Sequence, residues 1–262
     1  MRNLAKEKLG SGDTVQCLCV RMARSVDIGA VAAGAGFDAL YVDMEHSAIS
    51  ADDAAGICAA APGFGVTPLV RVPEGALGLA ARLLDNGALG VIMPHVETGS
   101  GARAVADACR FPPQGTRSAA GSTVQLGFQP MKQDAIAAGL NDLVLVCVMI
   151  ETPLGVKNAD AIAATEGIDM VMVGTNDLSA AMGQTGNIDG AGVRAACETV
   201  AAACAAHGKA FALGGVRGNA ALVRDYVAMG ARFIIAGTDT IYLTAAARDD
   251  IAAIRATLGA GA

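Results

Sequence analysis

The stretch LVLVCVMIETPLGVKNADAIAATEGIDMVMVGTND, residues 143–177, decides the fold. Its two apolar runs, 143–150 and 170–173, flank a segment with helical periodicity over 156–164. A strand that is apolar on both faces is buried on both faces, as in a parallel sheet crossed over by helices. Each run stops abruptly at polar residues: Glu151-Thr152-Pro153 after the first, Gly174-Thr175-Asn176-Asp177 after the second.

The same unit recurs outward in both directions. Six more apolar runs lie at 15–20, 39–42, 67–70, 90–93, 210–213 and 233–236. Helical stretches follow at 26–35, 51–61, 76–86, 191–207 and 219–229. Eight strands alternating with helices predict a closed (β/α)8 barrel, and 262 residues suit one. The long connection 94–142, with its Pro112-Pro113 turn, predicts a helix, an inserted or lid loop, and a second helix. Residues 245–262 predict a terminal helix. No linker or low-complexity tract divides the chain, so one domain over 1–262 is expected.

Composition narrows the function classes. The chain has net charge −6, 3% aromatic residues, no Trp and no Lys/Arg-rich stretch, which argues against nucleic-acid binding. Every alanine-rich run is broken before about 18 apolar residues, so no membrane helix is expected. The charged N-terminus does not resemble a secretory signal. Seven cysteines without a C-x-x-C pair predict buried thiols in a reducing compartment, and so a cytoplasmic location.

In such a barrel the chemistry sits where strands end. Asp43-Met44-Glu45-His46 follows the second run, and His46 is suited to proton transfer near neutral pH. A cap for the next turn is the alternative use of Asp43 or Glu45. Arg71 ends the third run, where a five-donor cation suits an enolate oxygen or a carboxylate, or else a structural ion pair. Glu151 and Asp177 end neighbouring strands. Two carboxylates facing one mouth suit a hard divalent cation, although Asp177 would also serve as a plain helix cap. The backbone N–H groups of Asn176 and Asp177 open a helix and are placed to hold a carboxylate. Gly214-Gly215 and Gly237-Thr238-Asp239 read as turn chemistry, with anion binding as the alternative. His95 follows the fourth run as a supporting or lid residue, and a cysteine nucleophile at Cys17 or Cys19 is disfavoured.

With these residues in place, the chain resembles the HpcH/HpaI family of class II 2-oxo acid aldolases. The likeness rests on Gly36-Phe37-Asp38, Val42-Asp43-Met44-Glu45-His46, Val70-Arg71-Val72-Pro73, Leu84-Asp85-Asn86-Gly87, residues 111–117, Ile150-Glu151-Thr152 and residues 174–179. It implies a barrel assembled as a homo-oligomer, a hexamer or trimer, with the C-terminal helix exchanged between subunits. It implies Mg²⁺, Mn²⁺ or Co²⁺ on Glu151 and Asp177, with Glu45 holding a water on the metal. His46 would be the acid/base with its basicity raised by Asp85, and Arg71 would steady a pyruvate enolate. The reaction implied is that of an aldehyde-lyase, splitting a 4-hydroxy-2-oxo acid into pyruvate and an aldehyde.

Three positions depart from the family pattern. Met149 stands where relatives commonly have Gln, and Thr175-Asn176 stands where they often have Pro-Ala. All three change expected substrate contacts. Arg21 and Arg24 follow the first strand unexpectedly, and Arg24 is read as a grip on the distal acid of the aldehyde half, or as a surface residue. The competing functions are a citrate-synthase-like condensation in the same fold and a non-catalytic barrel that binds a small carboxylate.

Overall fold

The computed structural model describes residues 1–119, 121–216 and 218–259. Eight parallel strands close on themselves in chain order: β1 (Val15–Val20), β2 (Ala39–Asp43), β3 (Thr67–Arg71), β4 (Gly90–Met93), β5 (Leu145–Ile150), β6 (Met170–Gly174), β7 (Ala210–Gly214) and β8 (Ala231–Thr238). The expected barrel is therefore the observed one. Register pairs Asp43 with Arg71 across β2 and β3, and Gly174 with Gly214 across β6 and β7.

The helices are α1 (Leu4–Gly10), α2 (Ile28–Gly34), α3 (Ala51–Ala60), α4 (Leu77–Asp85), α5 (Gly99–Cys109), α6 (Gln133–Leu143), α7 (Pro153–Lys157), α8 (Ala159–Ala163), α9 (Thr175–Ala181), α10 (Ala191–Ala206), α11 (Ala220–Met229) and α12 (Asp239–Leu258). Their starts follow local chemistry. Ser50 and Asp53 form a reciprocal capping box on α3, and Thr98 and Thr152 cap α5 and α7. The helix expected over 156–164 is broken in two at Asn158, whose amide nitrogen donates to the Glu97 carbonyl at 2.8 Å. Residues 143 and 144 belong to α6 and its cap rather than to β5, and β8 is longer than its apolar run. Of the expected terminal helix, residues 260–262 lie outside the described residues.

Side-chain direction alternates along each strand, so one parity fills the barrel and the other meets the helices. The interior set includes Cys17, Cys19, Ala39, Tyr41, Leu69, Cys147, Met149, Met170, Met172, Phe233 and Ile235. The opposite parity, with Leu18, Val20, Leu40, Val42, Val70 and Val148, packs under the helices. One end of the barrel is plugged by α1: the Asn3 amide donates to the carbonyls of Leu89 and Leu143, and the Ala5 N–H donates to Thr67 Oγ1. The strand C-termini form the other end. Among the described residues no helix is long and apolar enough to cross a membrane.

Candidate active site

Continuing the inward parity past the last apolar layer places Arg21 after Cys19, Asp43 after Tyr41, Arg71 after Leu69 and Glu151 after Met149. These residues ring the mouth. Asp43, with no exposed surface, is their organising centre. Its Oδ1 accepts from Arg71 Nε at 3.0 Å and from the backbone N–H groups of Glu45 and His46 at 3.2 Å each. Its Oδ2 accepts from Arg71 Nη2 and from Arg21 Nε, both at 2.6 Å. Burial works to raise the Asp43 carboxyl, but the bonds and charges of Arg71 and Arg21 outweigh it and hold it below the usual carboxylate range. The capping alternative for Asp43 is thus partly met, since it ties down the turn that carries Glu45 and His46.

Arg71 reaches on to Glu45, Nη1 to Oε2, at 3.2 Å. The His46 and His95 rings each approach Glu45 at 3.7 Å through Nε2. His95 adopts φ 53°, an uncommon conformation for a residue with a side chain, and thereby donates its backbone N–H to Glu151 Oε2 at 3.1 Å. Its Nδ1 lies 3.4 Å from the same oxygen.

Glu151 is buried, 3% exposed, and that burial pushes its carboxyl up to about 7. The His95 ring and N–H oppose the rise, and the nearby charges of Asp177 and Glu45 add to it. Gly174 is required beside it: a Cβ there would stand 2.5 Å from Glu151 Oε1. Asp177 projects from the first turn of α9, which lacks a side-chain cap, so its leading N–H groups stay available. Thr175 Oγ1 donates to the Gly214 carbonyl at 2.9 Å, and Gly215, at φ +88°, is packed too closely on Thr175 and Asn176 for any side chain.

These groups surround a cavity of about 90 Å³ lined by Arg21, Tyr41, His46, Arg71, Met149, Glu151, Asn176 and Asp177 among others. That is space for a small acid, a water taking ~30 Å³ in the liquid. A larger hollow of about 590 Å³ lies at the opposite end of the barrel. Its lysines are already spent on carbonyls, Lys6 on Asp142 and Val144 and Lys209 on Ile168, so it offers little to a ligand.

Glu151 and Asp177 fit a divalent cation. The donors are hard oxygens, one is buried without a full counter-charge, and Gly174 leaves the space in front of it clear. Among the described residues no group of three His, Cys, Asp or Glu gathers to hold a metal, so two protein ligands would leave the remaining positions to small molecules.

Two residues expected at the site lie away from the cavity of the single chain. Asp85 ends α4, at the closed end of the barrel, and pairs with Arg117 at 2.6 Å, with the Arg117 guanidinium over the Phe111 ring at 4.5 Å. His46 stands at the other end, so within one chain Asp85 does not raise its basicity. Arg24 is exposed, outside the cavity lining, and donates to its neighbour's carbonyl, Met22 O, at 2.8 Å. The arginine facing the cavity is Arg21. The sequence reading places Asp43 in the Asp43-Met44-Glu45-His46 cluster but gives it no role beyond a cap, and it does not single out Tyr41 as a lining residue. The inward parity of β1 and β2 carries the signal for all three. Asp239 ties down the loop after β1: its carboxylate accepts the N–H groups of Arg21, Met22 and Ala23 at 3.1, 2.9 and 2.9 Å.

Comparison with known proteins identifies the family. Residues 21–246 match the profile of the HpcH/HpaI aldolase/citrate lyase family. A 4-hydroxy-4-methyl-2-oxoglutarate aldolase of Hapsidospora irregularis is 40% identical over 96% of this chain and 94% of its own length. A hydroxypyruvate/pyruvate aldolase of Deinococcus radiodurans is 35% identical, over 83% of this chain and 78% of its own. The crystal structure of an HpcH/HpaI aldolase from Desulfitobacterium hafniense superposes with a TM-score of 0.89 at 29% identity, covering 95% of both chains. The chain belongs to the HpcH/HpaI aldolase/citrate lyase family and is a class II aldolase.

Proposed function

We propose that this aldolase splits a 4-hydroxy-2-oxo acid into pyruvate and a carbonyl compound, using Mg²⁺, Mn²⁺ or Co²⁺ held by Glu151 and Asp177. The observation that carries the reading is Glu151 itself. A carboxylate 3% exposed, facing Asp177 and Glu45 across a small mouth, calls for a cation. When bound, the ion supplies a Lewis acid that draws electron density from the oxo acid.

The chain's own groups do the rest. The N–H groups of Asn176 and Asp177 hold the substrate carboxylate at the start of α9. Arg71 gives two of its five N–H donors to Asp43 and pairs with Glu45 through Nη1 at 3.2 Å, and its remaining donors face the oxo oxygen. His46 takes the proton of the C4 hydroxyl. The O–H electron pair then forms the C4 carbonyl, the C3–C4 bond breaks, and its pair moves into the C2 carbonyl as an enolate. Protonation at C3 gives pyruvate. Met149, 4% exposed, presents a thioether to the cavity, so with Ile235 it gives the substrate an apolar wall beside the Tyr41 ring.

The same reading places the chain in a homo-oligomer. The α12 helix has no buried residue and exposes Ile241, Leu243, Ile251, Ile254 and Leu258, a face suited to a neighbouring subunit. The seven unpaired, buried cysteines support a reducing, cytoplasmic setting. Purified protein given 4-hydroxy-4-methyl-2-oxoglutarate should release pyruvate only with a divalent ion present. Release that survives complete chelation would overturn the metal assignment.

A further inference from the structure

We infer that Arg21 selects the carbonyl half of the reaction, and that this half carries a carboxylate of its own. The inference rests on the proposed aldol reading and adds the chemical class of the second product.

Arg21 follows Cys17 and Cys19 on the inward parity of β1 and lines the cavity. Only its Nε is engaged, on Asp43 at 2.6 Å. Among the described residues neither terminal nitrogen makes a hydrogen bond, and the side chain is 36% exposed at the mouth. Arg71 binds both oxygens of Asp43, so Arg21 is not the sole cation on that carboxylate and only one of its nitrogens is taken up there. What remains is a guanidinium edge with unspent donors, the shape that receives a carboxylate in two parallel bonds.

Position gives the edge its partner. In an eight-stranded closed barrel β1 lies across from β5, so Arg21 faces the mouth from the side opposite Glu151. A substrate whose oxo-acid end sits at Glu151 and Asp177 extends its C4 substituent toward β1. Tyr41, Met149, Ile235 and Thr238 line the space between them with uncharged groups, while Arg71 is engaged by Asp43 and Glu45. Arg21 is thus the cation with free donors at the far end. Its backbone is held in advance, since Asp239 accepts the N–H groups of Arg21, Met22 and Ala23. Little ordering is therefore left for the substrate to bring about.

The test is condensation of pyruvate with glyoxylate, which carries a carboxylate, and with acetaldehyde, which does not. For Arg21→Met the ratio of the two kcat/KM values, glyoxylate over acetaldehyde, should fall about 10- to 100-fold relative to the wild type. Arg21→Lys keeps a cation beside Asp43 but loses the fork, and should give a drop of about 3- to 10-fold, readable even if the methionine variant does not fold. A ratio that stays put while both rates fall together would reduce Arg21 to a support for Asp43. Hydrogen exchange on pyruvate alone, followed in the wild type with Mn²⁺, separates the two levels. Exchange with an unmoved ratio overturns only the role of Arg21, whereas no exchange overturns the aldol reading and this inference with it.

Discussion

Arg71 grips Asp43 through two parallel bonds, Nε to Oδ1 at 3.0 Å and Nη2 to Oδ2 at 2.6 Å, and the aspartate has no exposed surface. The pair fixes the direction of the remaining Arg71 donors toward the cavity. Lysine at position 71 keeps the charge but not the fork. Arg71→Lys should lower kcat by about 10²-fold or more, measured as pyruvate release. A near-normal kcat would demote Arg71 to a structural residue.

Removing the other partner acts on stability first. Asp43→Ala leaves two guanidinium groups facing a buried gap and unties the N–H groups of Glu45 and His46. The expected loss is about 3–5 kcal/mol in denaturant unfolding, as for a buried pair broken on one side. A loss below about 1 kcal/mol would mean that the arginines find solvent instead.

Glu151 makes the metal-free protein sensitive to pH. Burial raises its carboxyl to about 7, so the neutral form is favoured in the folded state. The stability this gives is present below the ordinary carboxylate range and lost as pH rises through 7. Metal-free wild type should therefore lose stability relative to Glu151→Gln between pH 5 and pH 8, by up to about 3 kcal/mol. Mn²⁺ at pH 8 should restore it by binding the ionised form, in the wild type alone. Parallel curves for the two proteins would contradict the burial of an unneutralised carboxylate.

His46 and Asp85 stand at opposite ends of one barrel, so any pairing between them joins two chains. His46→Ala should cost about 10²–10⁴-fold in cleavage rate. If Asp85 serves His46 across subunits, mixing His46→Ala protein with Asp85→Ala protein and letting subunits exchange should recover activity that neither has alone. Failure to recover would leave Asp85 as the partner of Arg117 only.

Much of this was legible in the sequence. The strand runs 15–20 and 90–93 have the bounds observed for β1 and β4, because short β-branched apolar runs bounded by polar or turn residues match a buried strand in both length and composition. Glu151, Asp177, Arg71 and His46 stood out because charged groups directly after buried strands need a reason. What escaped was orientation and partnership. Position in sequence alone does not separate Arg24 from Arg21; the inward parity of Cys17 and Cys19 on β1 does, and it selects Arg21. Asp85 drew attention by its place in a motif, but a motif does not say which end of the barrel a helix terminus occupies. The role of His95 depends on a backbone conformation, φ 53°, that its side chain does not announce.

Deuterium exchange at the pyruvate methyl group tests the central claim most directly, because it needs no aldehyde and no knowledge of the natural substrate. The wild type in D₂O with Mg²⁺, Mn²⁺ or Co²⁺ should exchange those hydrogens, chelation should stop the exchange, and Glu151→Ala should show none. Exchange that continues after complete metal removal, or that Glu151→Ala retains, would contradict the assignment of Glu151 and Asp177 as the metal pair.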